Sequence, residues 1–113
     1  MNVFNKDILY NQGDLPEEVF FILKGRVKLF YDINFGNYPA KHIAFNCYIE
    51  GSYFGDSDVI INEEKVGRDS MAEADCECLL LVLTKKNLLE LMENFPSVAN
   101  EMRKVAKKRK DYH

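Results

Sequence analysis

The sequence predicts an α+β domain: an antiparallel β-roll of jelly-roll type with about eight strands and a short internal helix, followed by two C-terminal helices. Three observations carry this. Short runs of β-branched and aromatic residues recur through residues 7–84, separated by turns rich in Gly, Asn and Asp. The apolar period then changes from two to 3.6 over the last fifth of the chain. Pro96 divides that last stretch, giving helices at about 85–95 and 96–113. With 113 residues, 47% of them hydrophobic, the chain makes one domain that buries roughly 60–70% of its unfolded surface.

Residues Asp7 to Tyr10 form a short strand, closed by turn chemistry at Asn11-Gln12-Gly13-Asp14. Val19 to Leu23 is a continuous apolar run, as a strand buried on both faces requires. Lys24-Gly25 turns it into Arg26-Val27-Lys28-Leu29, whose alternation marks a half-buried strand, so the two read as a hairpin. Beyond the loop at Asn34–Asn37, Ile43, Phe45, Cys47 and Ile49 share one parity and point to a core, with His42, Ala44, Asn46 and Glu50 facing solvent. Ser70 to Thr84 reads as one long strand region with Ala72, Ala74, Cys76, Cys78, Leu80 and Val82 inward. Leu88, Leu91, Met92 and Phe95 then follow helical spacing, with Thr84 as N-cap. In the last helix Val98, Met102 and Val105 form a stripe that Arg109 continues.

The net charge of −3 is unevenly spread. Residues 103–113 carry six cations against Asp111, a net of +5, so residues 1–102 hold −8. No aromatics alternate with the tail's cations and the acidic body would repel a polyanion, so the tail reads as a solvated helix end rather than a nucleic-acid site. No apolar run approaches the roughly 20 residues that cross a bilayer, and MNVFNKDILY shows no signal-peptide pattern. Three cysteines, two of them in Cys76-Glu77-Cys78, with only His42 and His113 to complement them, suit neither a disulfide framework nor a zinc site. They indicate a reducing compartment, with Cys76 and Cys78 as small core residues.

Catalytic signatures are missing. There is no nucleophile elbow, no His-Glu-x-x-His, no Walker loop, and the acidic pairs Glu17-Glu18 and Glu63-Glu64 sit in loop-like stretches, so an enzyme is not expected. The chemistry-bearing segment is Gly51-Ser52-Tyr53-Phe54-Gly55-Asp56, followed by Gly67-Arg68-Asp69-Ser70. A glycine turn that opens a short helix presents main-chain N–H groups to an anion. An arginine folded back onto that turn adds charge-assisted, bidentate-capable bonds.

In order and spacing these residues resemble the cyclic nucleotide-binding domain family over nearly the whole chain. Gly13-Asp14, the Val19–Val27 segment and the Phe54-Gly55-Asp56 turn match its signatures, and Arg68 matches the arginine of its phosphate-binding cassette. The resemblance implies that Arg68, Gly55, Ser57 and Ser70 hold the cyclic phosphate, that Asp56 and Phe54 meet the ribose, and that Arg109, Asp69 and His113 lie toward the base. The ligand would be cAMP or cGMP, with no cofactor, no metal and no nucleic-acid partner. Phe95-Pro96 and Val105-Ala106-x-x-Arg109 are most similar to the domains of cation channels, where such an arginine is part of a lid. This implies a cytoplasmic regulatory domain of a membrane-embedded, tetrameric cation channel, potassium-selective or nonselective.

Three departures set the alternatives. Asp56 stands where the family usually has Glu, Asp69 follows Arg68, and the interval from Phe54 to Arg68 is long and includes Glu63 and Glu64. A carboxylate about 5 Å from the phosphate, at an effective dielectric near 20, costs on the order of 3 kcal/mol. Neighbouring strand residues face opposite ways, however, which turns Asp69 aside if Arg68 faces the ligand. The alternatives are a nucleotide-insensitive roll used for subunit contact, a kinase regulatory subunit, or a transcription regulator.

Overall fold

The computed structural model describes residues 1–33, 41–60 and 67–112. The loop at Asn34–Asn37, the acidic stretch with Glu63 and Glu64, and His113 lie outside the described residues, as do the side chains of His42 and Ser57.

Among the described residues, eight strands form two four-stranded antiparallel sheets, as the sequence predicts. Sheet one has the order β1 (Asn2–Val3), β8 (Cys78–Thr84), β3 (Glu18–Lys24), β6 (Tyr53–Phe54). Sheet two runs β2 (Ile8–Tyr10), β7 (Met71–Ala74), β4 (Arg26–Ile33), β5 (Lys41–Ile49). A short helix α1 (Asp56–Ile60) follows β6, and α2 (Lys85–Asn94) and α3 (Pro96–Tyr112) close the chain.

Two apolar clusters hold these layers together. Between the sheets lie Tyr10, Phe20, Ile22, Val27, Leu29, Phe54, Ala72, Ala74, Cys78 and Leu80. On the outer side of sheet one, Val19 meets Val59, Leu88, Met92, Ala99 and Met102 of the helices. Strand β3 therefore serves both clusters through alternate residues, which explains the continuous apolar run Val19–Ile22. Leu23 at its end is exposed.

Several expectations need correction. The roll begins earlier than residue 7, because Asn2 and Val3 pair with Leu79 and Cys78; a two-residue strand carries no period to read. The Val19–Leu29 segment is not a hairpin. β3 pairs with β6 and β8 while β4 pairs with β5 and β7, so Gly25 is a corner between sheets. Its φ of +98° and the Cys78 sulfur that would stand 2.6 Å from a Cβ there leave room only for glycine. The long region from Ser70 is two strands in different sheets, divided at Asp75–Glu77.

In β5 the predicted faces hold for Phe45, which packs against the inner cluster, and for exposed Ala44 and Glu50, but not for the rest of the strand. Tyr48 lies opposite buried Val27 and Asn46 opposite buried Leu29, so these polar-tipped residues point inward while Ile43 and Cys47 are exposed and Ile49 is 60% exposed. Leu29 pairs with Asn46 but Phe30 with Ala44, so Phe45 is an extra residue that shifts the register. Partner strands, rather than local hydrophobicity, choose the inner face.

The helices keep their predicted bounds more closely. The Thr84 hydroxyl accepts from the Asn87 N–H at 3.2 Å, capping α2. Leu88 and Met92 are buried, but Phe95 is 55% exposed at the helix end. In α3 the buried stripe is Ala99, Met102 and Ala106 rather than Val98, Met102 and Val105. Alanines at 99 and 106 allow α3 to approach its neighbours closely, and Arg109 falls on this same corrected stripe. Cys78 is buried and Cys76 half-buried, both as free thiols, while Cys47 is an exposed free thiol.

Candidate functional site

Strand β6 delivers the chain to Gly55, whose φ of +79° turns it into α1. A Cβ at Gly55 would lie 2.9 Å from Arg68 Nη1, so both backbone conformation and space exclude a side chain here. Arg68 is 3% exposed. Its Nη1 donates to the Gly55 carbonyl at 2.7 Å and its Nη2 to the Glu18 carbonyl at 2.6 Å. The guanidinium carbon stands 4.2 Å over the Tyr10 ring. One planar side chain thus joins the glycine turn, the start of β3 and β2. Both carbonyls are neutral acceptors that orient the guanidinium plane.

The backbone of Arg68 is fixed as firmly as its side chain. The Gly13 N–H donates to the Arg68 carbonyl and the Arg68 N–H to the Asp14 carbonyl, both at 2.7 Å. Gly67 is where these segments cross: a Cβ there would lie 2.3 Å from the Gly13 carbonyl oxygen. Alternation along this stretch leaves Arg68 and Ser70 buried and Asp69 exposed. A cleft of about 390 Å³ borders Arg68, with Tyr10, Phe20, Asp14, Glu17 and Glu18 in its walls.

The second half of the site centres on Asp56, which is 1% exposed. Its Oδ1 accepts from Arg109 Nη1 at 2.5 Å, and the same Nη1 donates to the Tyr53 carbonyl at 2.8 Å. The Arg109 guanidinium carbon lies 4.6 Å from the Tyr53 ring centre and 4.9 Å from that of Tyr48. Asn46 Nδ2 donates to the Tyr48 hydroxyl at 3.0 Å. The structure therefore brings Arg109 against Asp56 and two tyrosines. Phe54 sits beneath, stacked on Phe20 with centroids 5.1 Å apart and on Tyr48 at 5.9 Å.

Burial pushes the phenols of Tyr48 and Tyr53 above the usual tyrosine range. The Asp56 charge raises both further, Asp69 adds to Tyr48 and Glu101 to Tyr53, while Arg109 opposes the rise. A folded-state pKa above the unfolded one means that this contribution to stability is complete below about pH 10 and is lost as pH rises beyond it. Thermal unfolding between pH 8 and 11 is expected to show such an alkaline loss, smaller in Tyr48→Phe. An identical slope in the two proteins would refute the assignment.

Of the residues singled out in the sequence, Arg68 meets Gly55, and Asp56 meets Arg109, with Phe54 below and Ser70 buried beside Arg68 in the chain. Tyr10 and Tyr48 join the site without having been marked by any motif, while Tyr53 and Gly67 lie inside the marked segments with no role assigned to them. Tyr53 lies inside the Gly51–Asp56 segment and Tyr48 three residues before it, and aromatic residues close to a glycine turn were the available signal. Gly67 stands immediately before the arginine, but nothing local shows what crosses it. Among the described residues, no group of three or more His, Cys, Asp or Glu could hold a metal ion, and no helix is long and apolar enough to cross a membrane.

The model of a protein family described as the cyclic nucleotide-binding domain matches residues 3–95. No curated protein matches the chain. Among solved structures, the catabolite activator protein of Thermus thermophilus is similar with a TM-score of 0.83 and 20% identity, covering 99% of this chain and 49% of that one. The regulatory domain of Toxoplasma gondii PKA, crystallised with cAMP, has a TM-score of 0.78 and 18% identity, covering 100% and 38%. The EAL enzyme Bd1971 in its cAMP-bound form has a TM-score of 0.74 and 23% identity, covering 99% and 28%. The chain thus spans between about a quarter and a half of these three proteins, and at such identities the likeness is one of fold.

Proposed function

We propose, from the premise that this chain belongs to the cyclic nucleotide-binding domain family, that it is a regulatory module whose ligand is cAMP or cGMP held between the Gly55 turn and α3. The observation that carries this reading is the buried Arg68 guanidinium fixed against the Gly55 carbonyl at 2.7 Å. A positive charge already oriented beside a glycine turn costs little further ordering when an anion arrives. On this reading the cyclic phosphate takes Arg68 and main-chain N–H groups near Gly55, with Ser57 and Ser70 beside it. Asp56 accepts from the ribose above Phe54, and Arg109, Asp69 and His113 lie toward the base. The module itself does no chemistry: it shifts an attached effector only through the difference in affinity between two positions of α3.

Calorimetric titration with cAMP and cGMP tests the proposal. Arg68→Ala is expected to weaken binding at least about tenfold, the loss of one charge-assisted bond worth roughly 1.5–3 kcal/mol. Arg68→Lys retains the charge without the fork and is expected to fall in between, and circular dichroism establishes that each variant is folded. If the wild-type chain binds neither nucleotide at millimolar concentration, a second reading takes over. That reading is a nucleotide-insensitive roll serving subunit contact, and the observation in its favour is that Arg109 already pairs with Asp56 Oδ1.

The resemblance at Phe95-Pro96 and Arg109 supports a tetrameric cation-channel pore as the effector, with this domain on the cytoplasmic side. Nucleotide-dependent current in excised patches from cells expressing the parent protein would bear this out. A parent protein whose further domain is an EAL enzyme, a kinase-inhibiting segment or a DNA-reading helix pair would overturn it.

A further inference from the structure

The chain leaves sheet two at the end of β7, bends at Asp75 and Cys76, and enters sheet one at Cys78, the first residue of β8. All three cysteines are free thiols, and two of them stand on either side of Glu77 in this bend. We propose that Cys76 and Cys78 are a thiol–disulfide exchange site, which takes a low-molecular-weight disulfide of the glutathione type and converts it into a reversible internal Cys76–Cys78 bond. The site is separate from nucleotide binding and does not depend on it.

Several observations carry the pairing. An extended strand spaces residues i and i+2 about 6.6–6.8 Å apart, the upper limit for a disulfide, and a bend shortens that distance. Cys78 Sγ folds back to donate to the Cys76 carbonyl at 3.2 Å, so it already reaches the residue it would bond. Burial pushes the Cys78 thiol above its usual range, and Cys76 adds to the rise through its charge and a side-chain hydrogen bond between the thiols. Cys78 Sγ also donates to the Arg26 carbonyl at 3.2 Å. The Asp75 N–H donates to that same oxygen at 3.1 Å, so the Arg26 carbonyl keeps a donor when the thiol withdraws.

The pair is also asymmetric, which separates an attacking thiol from a resolving one. Cys78 is 2% exposed, whereas Cys76 is half-buried. The Arg26 guanidinium, held up first by its hydrogen bond to Asp75, is held up also by the Cys76 charge, so a cation stands within electrostatic reach of a Cys76 thiolate. A cleft of about 390 Å³ bordered by Lys24, Glu77, Cys78 and Leu79 opens beside the bend and gives a small disulfide room to approach.

In the first step Cys76 loses its proton to water and its thiolate attacks one sulfur of the small disulfide; a Cys76–S–S–R bond forms and RS⁻ leaves. With Cys76 no longer able to carry charge, its part in raising the Cys78 pKa disappears. Cys78 then gives its proton to water and attacks the Cys76 sulfur, forming the internal bond and expelling a second RS⁻. Both released thiolates take up protons, so two protein thiols are oxidised and one small disulfide is reduced to two thiols. A bond between residues two apart closes a small, strained ring, which an excess of reduced thiol reopens.

Mass spectrometry of the folded chain tests the site. Trypsin, applied after free thiols are blocked, releases Asp69–Lys85, which contains Cys76 and Cys78 but not Cys47. After incubation of the chain with excess oxidised glutathione, this peptide is expected to have lost the mass of two hydrogens, and dithiothreitol should restore it. Cys47→Ser should give the same result. Cys78→Ser should stop with one glutathione attached to Cys76, and Cys76→Ser should leave Cys78 unmodified. Circular dichroism establishes that each variant is folded, and the wild-type peptide decides the matter without any substitution. Two free thiols in that peptide overturn the proposal, as does glutathione that stays on Cys76 of the wild-type chain, or an internal bond that forms only in urea.

Discussion

Gly67→Ala is expected to cost about 3 kcal/mol or more of folding stability, from overpacking of about 1–3 kcal/mol and weakening of two hydrogen bonds worth about 1 kcal/mol each. The new Cβ would stand 2.3 Å from the oxygen, 2.6 Å from the carbonyl carbon and 2.8 Å from the Cα of Gly13. All three are main-chain atoms, so no side chain can swing away to relieve the clash. Either the Gly13-Asp14 turn lifts off, losing its two 2.7 Å bonds to Arg68, or the segment carrying Arg68 ahead of β7 moves. Both outcomes displace the Arg68 guanidinium, so nucleotide affinity should fall with stability. Gly13→Ala is the informative control. Gly13 has φ +93° but open space around its Cβ position, so only the left-handed penalty of about 1–2 kcal/mol applies. Urea unfolding of the three proteins measures the difference, and a Gly67→Ala protein within about 1 kcal/mol of wild type would refute the crossing argument.

Phe54→Ala is expected to destabilise the domain by about 3–5 kcal/mol, in the range for removing a fully buried aromatic side chain. Phe54 has no exposed surface and stacks on Phe20 at 5.1 Å and Tyr48 at 5.9 Å, with Tyr10 at 6.3 Å. The same rings support the site: Tyr10 lies under Arg68, and Tyr48 beside Arg109. A cavity at position 54 would therefore loosen both halves of the site at once. Phe54→Leu, which retains most of the volume, should cost markedly less. A loss below about 1 kcal/mol for the alanine variant, measured by reversible thermal or urea unfolding, would show that the inner cluster collapses freely around the gap.

Part of the site is legible in the sequence itself. Phe54-Gly55-Asp56, Arg68 and Arg109 carry their chemistry in their residue types, and a glycine turn ahead of a short helix is a local pattern. Arg109 also lies on a helical stripe, although the stripe itself is rotated, with Ala99 and Ala106 buried in place of Val98 and Val105. What residue type does not specify is the partner. That Asp56 would meet Arg109, that Arg68 would hold the carbonyls of Gly55 and Glu18, and that Tyr48 would turn inward all depend on sequence separations of 13 to 53 residues or on strand register.

Sequence alone determined the class of fold, the turn at Gly55, the capped start of α2 at Thr84 and the break at Pro96. Each follows from backbone preference, apolar period or charge within a few residues. Tertiary structure alone decided that β3 and β4 part into different sheets, that the Ser70–Thr84 stretch divides, that β5 presents Tyr48 to the interior, and that Gly67 must yield to Gly13. Sheet pairing and steric crossing are set by whatever stands opposite, and that neighbour is supplied by a distant part of the chain.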